Sequence, residues 1–121
     1  MIKQKIEVSG SRVLVMGLTF KENCPDIRNT KVIDIVDELK AYEVDVDIID
    51  PWCDPLEAAN EYSLVVSKMA EEGVYDAVLV AVAHDEFKEM GVEAIRKLGR
   101  PKHILYDLKH VLPKDDVDIR L

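Results

Sequence analysis

The chain has 121 residues, 48% of them apolar and 33% charged. That is one domain's worth at ~100–150 residues, with a core that needs no staples. It carries 24 acidic and 16 basic side chains, net −8. The acidic balance argues against a nucleic-acid binder, and no apolar run approaches the ~20 residues of a membrane span.

Residues 1–11 are polar, with Gly10 between two serines, and read as a lead-in or linker; residues 12–121 form the domain. The first firm element is Val13, Leu14, Val15 and Met16, a continuous apolar run that suits a parallel strand buried on both faces. Gly17 closes it, and a loop follows to Arg28. Val32, Ile35, Val36 and Leu39 then make one helical stripe, with Asn29 as the expected N-cap.

Val44, Val46 and Ile48 alternate with Asp45 and Asp47, so this strand is expected towards the sheet edge. Pro51 and Pro55 bracket a turn before a short helix over 56–62. Residues 64–66 are ambiguous, and 68–72 read as a helical turn. Residues 77–82 are the most apolar run and the expected central strand. Residues 87–90 and 92–98 are helical in composition, broken at Gly91 and ended by Gly99. A strand over 103–106 ends at Asp107, and an acidic tail covers 113–121. Alternating strands and helices predict an α/β fold, a Rossmann-like three-layer sandwich with a mainly parallel sheet. Ligands of such sheets lie at the carboxyl ends of the strands, near the reversal of strand order. Four loops qualify, after Gly17, Asp50, His84 and Asp107.

The loop after the first strand lacks GxGxxG, so no glycine-lined pyrophosphate cradle exists there. Lys21 and Arg28 either offer phosphate a point charge and a fork, or are surface charges paired with Glu22 or Asp26. Cys24 and Cys53 have no CxxC or metal-site spacing, so no metal site is expected and both read as reduced thiols of a cytoplasmic protein. His84 is either a group at the ligand edge or a hydrogen-bonded structural residue. Asp50 either mimics the ribose-binding acid of dinucleotide folds or forms the turn before Pro51. Trp52 packs that turn or anchors an interface. A signalling receiver, also a small acidic α/β sheet, is excluded by the missing acidic pair after the first strand.

The stretch Lys21-Glu22-Asn23-Cys24-Pro25-Asp26-Ile27-Arg28-Asn29, preceded by Gly17-Leu18-Thr19-Phe20, resembles the carboxyl-terminal UDP-binding domain of the UDP-glucose/GDP-mannose dehydrogenase family. Asp50-Pro51-Trp52, Ala83-His84-Asp85-Glu86-Phe87 and Asp107-Leu108-Lys109 match further family motifs in order. The fuller loop is similar to the branch that oxidises UDP-N-acetylhexosamines for surface polysaccharides. The resemblance implies that Phe20, Lys21 and Lys109 contact the UDP-sugar and that Arg28 reaches NAD. It implies an NAD-dependent 6-dehydrogenase that oxidises a sugar alcohol twice to the uronic acid. NAD would be held mainly by an amino-terminal domain, and a central region would make the full-length enzyme a homodimer. The catalytic Cys of the family belongs to a domain with a Gly-rich motif not found here, so this chain has no catalytic residue and is expected to be inactive alone. Cys24 is then structural or a bystander, and Asp26 a helix cap or an orienting partner of Arg28. Glu43 stands where relatives commonly have Gly after the helix, so the resemblance implies a different exit here, one that avoids the left-handed conformation. A stand-alone nucleotide-binding module is the alternative.

Overall fold

The computed structural model describes residues 10–19, 23, 27, 31–67, 70–107 and 119–120. The elements are β1 (Arg12–Met16), α1 (Val32–Ala41), β2 (Asp45–Ile49), α2 (Pro55–Tyr62), β3 (Val66–Ser67), β4 (Tyr75–Val80), α3 (Asp85–Arg96), β5 (Gly99–Asp107) and β6 (Ile119–Arg120). They build one six-stranded sheet in the order β3-β2-β1-β4-β5-β6. Every described pairing is parallel. Strand order reverses between β1 and β4, the point where open α/β sheets receive ligands.

The period of two along each strand divides the core into two layers. Val13 and Val15 of β1 and Ala77 and Leu79 of β4 pack with Val32 and Val36 of α1 and Ala58 of α2. Leu14 and Met16 with Val78 and Val80 pack on Phe87 and Ile95 of α3. The sheet is therefore the middle of three layers, as its apolar runs predict.

At the amino ends of the strands, side chains fix the register. Arg12 donates to Asp47 Oδ2 at 2.9 Å, the Tyr75 hydroxyl donates to the same oxygen at 2.7 Å, and the Arg12 backbone donates to Asp76 Oδ2 at 2.9 Å. The hydrogen bond to Asp47 raises the Arg12 pKa against the opposing effect of burial, and burial with the same carboxylate raises that of Tyr75. Thus β4 begins at Tyr75, two residues before its apolar run.

β2 does lie towards the sheet edge, with two-residue β3 beyond it, paired at Ile48 and Ile49. Its first half has no partner on that side among the described residues, which explains the polar alternation. Several expectations change. The N-cap of α1 is Lys31, with no side-chain cap bond, and Asn29 lies outside the described residues. Of the helical turn expected over 68–72, residues 70–72 are not helical and 68–69 lie outside the described residues. The tail contributes β6, beside β5. Glu43 does adopt the left-handed conformation, with φ 60°. Its N–H donates to Lys40 O at 3.0 Å, and that of Val44 to Leu39 O at 3.4 Å. This is a Schellman exit, closed by burial of Val44 in the same cluster as Leu39. The break at Gly91 is present: its φ of 75° and ψ of 167° interrupt α3.

Gly17 sits where β1 turns out of the sheet, with φ 105°. A Cβ there would lie 2.5 Å from Val82 Cβ. Gly17→Ala should therefore combine overpacking with backbone strain, a loss of roughly 2–4 kcal/mol. Urea unfolding of the two proteins checks this, the expected result being a lower midpoint at an unchanged slope.

Candidate functional site at the strand-order reversal

Three strand ends meet on one carboxylate. Asp50 follows β2 and is fully buried. Its Oδ1 accepts the N–H groups of Trp52 at 2.7 Å and Cys53 at 3.0 Å, which is the turn-forming role expected before Pro51. Its Oδ2 accepts the N–H groups of Leu18 at 2.7 Å and Thr19 at 3.1 Å. The same oxygen faces His84 Nε2 at 3.0 Å. Burial alone would push this carboxyl up, but hydrogen bonds from His84, Leu18 and Trp52 outweigh it and hold its pKa below the ordinary carboxylate value.

His84 follows β4 and is also fully buried. Its Nδ1 accepts the backbone N–H of Asn23 at 2.9 Å. An accepting Nδ1 places the proton of the neutral ring on Nε2. From there it serves Asp50 Oδ2 and lies 3.1 Å from Thr19 Oγ1. Trp52 stacks over the imidazole at 6.4 Å and Phe87 meets it edge-on at 5.5 Å. Its full burial and the hydrogen-bond partners of both ring nitrogens support the structural reading of His84. Trp52 is part exposed and donates from Nε1 to Glu86 at 3.0 Å, so it roofs the imidazole.

Asn23 makes a second bond at the same corner. Its Oδ1 accepts the N–H of Asp85 at 3.0 Å, while His84, at the N-cap of α3, makes no side-chain cap bond. The loop after β1 thus caps a helix sixty residues away in sequence. Asn23 has φ 54°, a conformation asparagine tolerates better than most residues. Further along, Ile27 is buried and its carbonyl accepts the Tyr62 hydroxyl at 2.7 Å. The loop is therefore fastened at Thr19, Asn23 and Ile27.

Phe20, Lys21, Arg28 and Lys109 lie outside the described residues, as do Cys24 and Asp26. In sequence, Phe20 and Lys21 fall between the anchors Thr19 and Asn23, Arg28 follows the anchor Ile27, and Lys109 comes two residues after Asp107, which is buried at the end of β5. Thr19 and Asn23 were not singled out from sequence. Their signals are weak, a hydroxyl residue and an asparagine within a polar loop. Cys53 is a buried free thiol, pushed up to about 11 mainly by burial and then by Asp50, which leaves it protonated and unreactive.

A dinucleotide's pyrophosphate needs free amides at the β1 turn. Here the Leu18 and Thr19 N–H groups already donate to Asp50, and Leu18 is buried. This turn does not fit that group. Residues 14–114 match the UDP-glucose/GDP-mannose dehydrogenase family, UDP binding domain. The chain belongs to that family. It is 55% identical over its full length to a UDP-N-acetyl-D-glucosamine 6-dehydrogenase of Pseudomonas aeruginosa. It is 54% identical to one of Salmonella typhi. It covers 29% and 28% of those two proteins, so it spans under a third of their length. In fold it is similar to an NDP-N-acetyl-D-galactosaminuronic acid dehydrogenase of Methanosarcina mazei, with TM-score 0.81 and 21% identity over 95% of this chain and 24% of that one. The family domain is thus built here around a buried aspartate.

Asp50→Asn would turn an NH2 group towards N–H donors and leave buried donors unpaired. Each buried donor left unsatisfied costs about 1–3 kcal/mol. Because the native pKa is lowered from the ordinary carboxylate value, the stabilisation is fully present above that ordinary value and disappears as pH falls through the native one. Urea unfolding from pH 7 to pH 2 should show a large deficit for Asp50→Asn at pH 7 that narrows in acid.

Proposed function

We propose that this chain is the UDP-sugar-binding domain of an NAD-dependent nucleotide-sugar 6-dehydrogenase acting on a UDP-N-acetylhexosamine, in surface polysaccharide biosynthesis and in the cytoplasm. The observation that carries the reading is the 55% identity, over all 121 residues of this chain, to 29% of the Pseudomonas aeruginosa enzyme. It is supported by a fastened loop at the strand-order reversal, where such folds take ligands. No described helix is long and apolar enough to cross a membrane.

In this reading Phe20 contacts the nucleotide-sugar, while Lys21 and Lys109 supply positive charge to its diphosphate as point charges. Local cations matter in a chain of net charge −8. NAD is held mainly by an amino-terminal domain of the longer enzyme, with Arg28 reaching it from this domain. A central region completes a homodimer. Catalytic residues come from the rest of that enzyme. NAD accepts the hydrides, and this chain's part is to bind and orient the UDP half of the substrate.

The isolated chain holds only part of the site, so UDP should bind weakly, near the millimolar range that corresponds to ~4 kcal/mol. An NMR titration with UDP at low salt should move the amides of residues 18–28, 84 and 107–110. Shifts confined to other surfaces would overturn the assignment.

The two cations of the loop should separate in the longer enzyme. Arg28→Lys should raise the KM for NAD roughly tenfold or more, as loss of a charge-assisted hydrogen bond costs about 1.5–3 kcal/mol. Lys21→Ala should raise the KM for the UDP-sugar instead. Steady-state kinetics with each substrate varied, alongside thermal melts, decide between these roles and a purely structural one.

A further inference from the structure

Both ring nitrogens of His84 are committed to one loop. Nε2 lies 3.1 Å from Thr19 Oγ1 and 3.0 Å from Asp50 Oδ2, which itself accepts the Thr19 amide. Nδ1 accepts the Asn23 amide at 2.9 Å. The imidazole therefore ties together the two residues that flank Phe20, Lys21 and Glu22 in the sequence. It does so without touching solvent, and the indole of Trp52 and the ring of Phe87 pack against it.

We propose that His84 is a positioning residue for nucleotide binding, and that its Nδ1 bond to the Asn23 amide, rather than its Nε2 bond to Asp50, sets the affinity. The inference rests on the proposed role of Phe20 and Lys21 in substrate contact. A second bond strengthens the geometry, because the side chain of Asn23 also accepts the Asp85 amide at 3.0 Å. Asn23 is thereby held to the start of α3 from its backbone and its side chain at once. Removing the Nδ1 acceptor leaves the Asn23 N–H without its partner and that end of the loop held to α3 by the Asn23 side chain alone among the described bonds. Removing the Nε2 donor instead withdraws one of the donors to Asp50, which the four backbone amides still hold.

Two substitutions divide these bonds. In His84→Asn the side-chain oxygen takes the place of Nδ1, so the Asn23 amide keeps an acceptor. In His84→Gln the side-chain nitrogen takes the place of Nε2, so Asp50 keeps a donor. Titration of the 121-residue chain with UDP, followed by NMR, should show His84→Asn within about twofold of the wild type. His84→Gln should bind roughly three- to tenfold more weakly, the loss of one hydrogen bond. Melting temperatures should not follow the same order, because the shorter asparagine leaves the larger void beside Trp52 and Phe87 and His84→Asn should melt the lower of the two. If UDP affinity instead tracks melting temperature, or if His84→Gln binds as the wild type does, the positioning role is overturned.

A measurement on the wild type stands apart from both variants. The ring nitrogen shifts should report a neutral imidazole protonated on Nε2, with Nδ1 coupled through its hydrogen bond to the Asn23 amide. The opposite tautomer would overturn the geometry whatever the titration shows. Absence of UDP binding by a folded wild type with the expected tautomer would overturn the proposed function, and the inference with it.

Discussion

A single carboxylate with five hydrogen-bond donors governs the ligand edge of this domain. Asp50 takes two amides from its own turn, two from the loop after β1 and the imidazole that follows β4. A buried carboxylate with fewer donors would be driven towards its neutral form, and each missing donor would leave a strand end without its fastening. Because the donors come from three strands, the bond set also resists sliding of one strand end against another. The sheet supplies the register from below, through Arg12, Asp47 and Tyr75 at the opposite ends.

This arrangement explains how a fold with dinucleotide-type strand order takes on a different task. In a dinucleotide site the amides after β1 point at a pyrophosphate. Here the amides of Leu18 and Thr19 are satisfied within the protein. The loop is then free to run on past the turn and to be fastened again at Asn23 and Ile27. In the proposed function side chains, not backbone amides, meet the anionic ligand, a role that suits a loop whose sequence carries Lys21 and Arg28 in an acidic domain. Packing follows the same logic: Gly17 must lack a side chain because Val82 fills the space beside it, and α3 borrows its cap from Asn23 because His84 is already in use.

Much of the fold was legible in the sequence. The apolar runs around Val13 and Val78 and the stripe through Val32, Val36 and Leu39 carry their periods openly, and Gly91 marked a real interruption of α3. Two-residue strands have no period to read, so β3 and β6 did not stand out. Polar alternation in β2 reflected a partner strand too short to cover it. Glu43 took a conformation that its residue type disfavours because burial of Val44 and two carbonyl bonds reward the Schellman exit. At the site, the four strand-end loops could be named in advance, yet the bonds among residues 19, 23, 50 and 84 could not. They depend on which strand lies beside which, and only the 3-2-1-4 order brings those positions together.

Native-state hydrogen exchange tests the central claim most directly. Amides that hold a buried carboxylate and a buried imidazole should open only with the domain, whereas ordinary loop amides exchange through local fluctuations. The amides of Leu18, Thr19, Trp52, Cys53 and Asn23 are predicted to exchange with free energies close to those of the central strands β1 and β4. Exchange of these five amides near the rate of exposed loop residues, in a domain whose strands remain protected, would contradict the account.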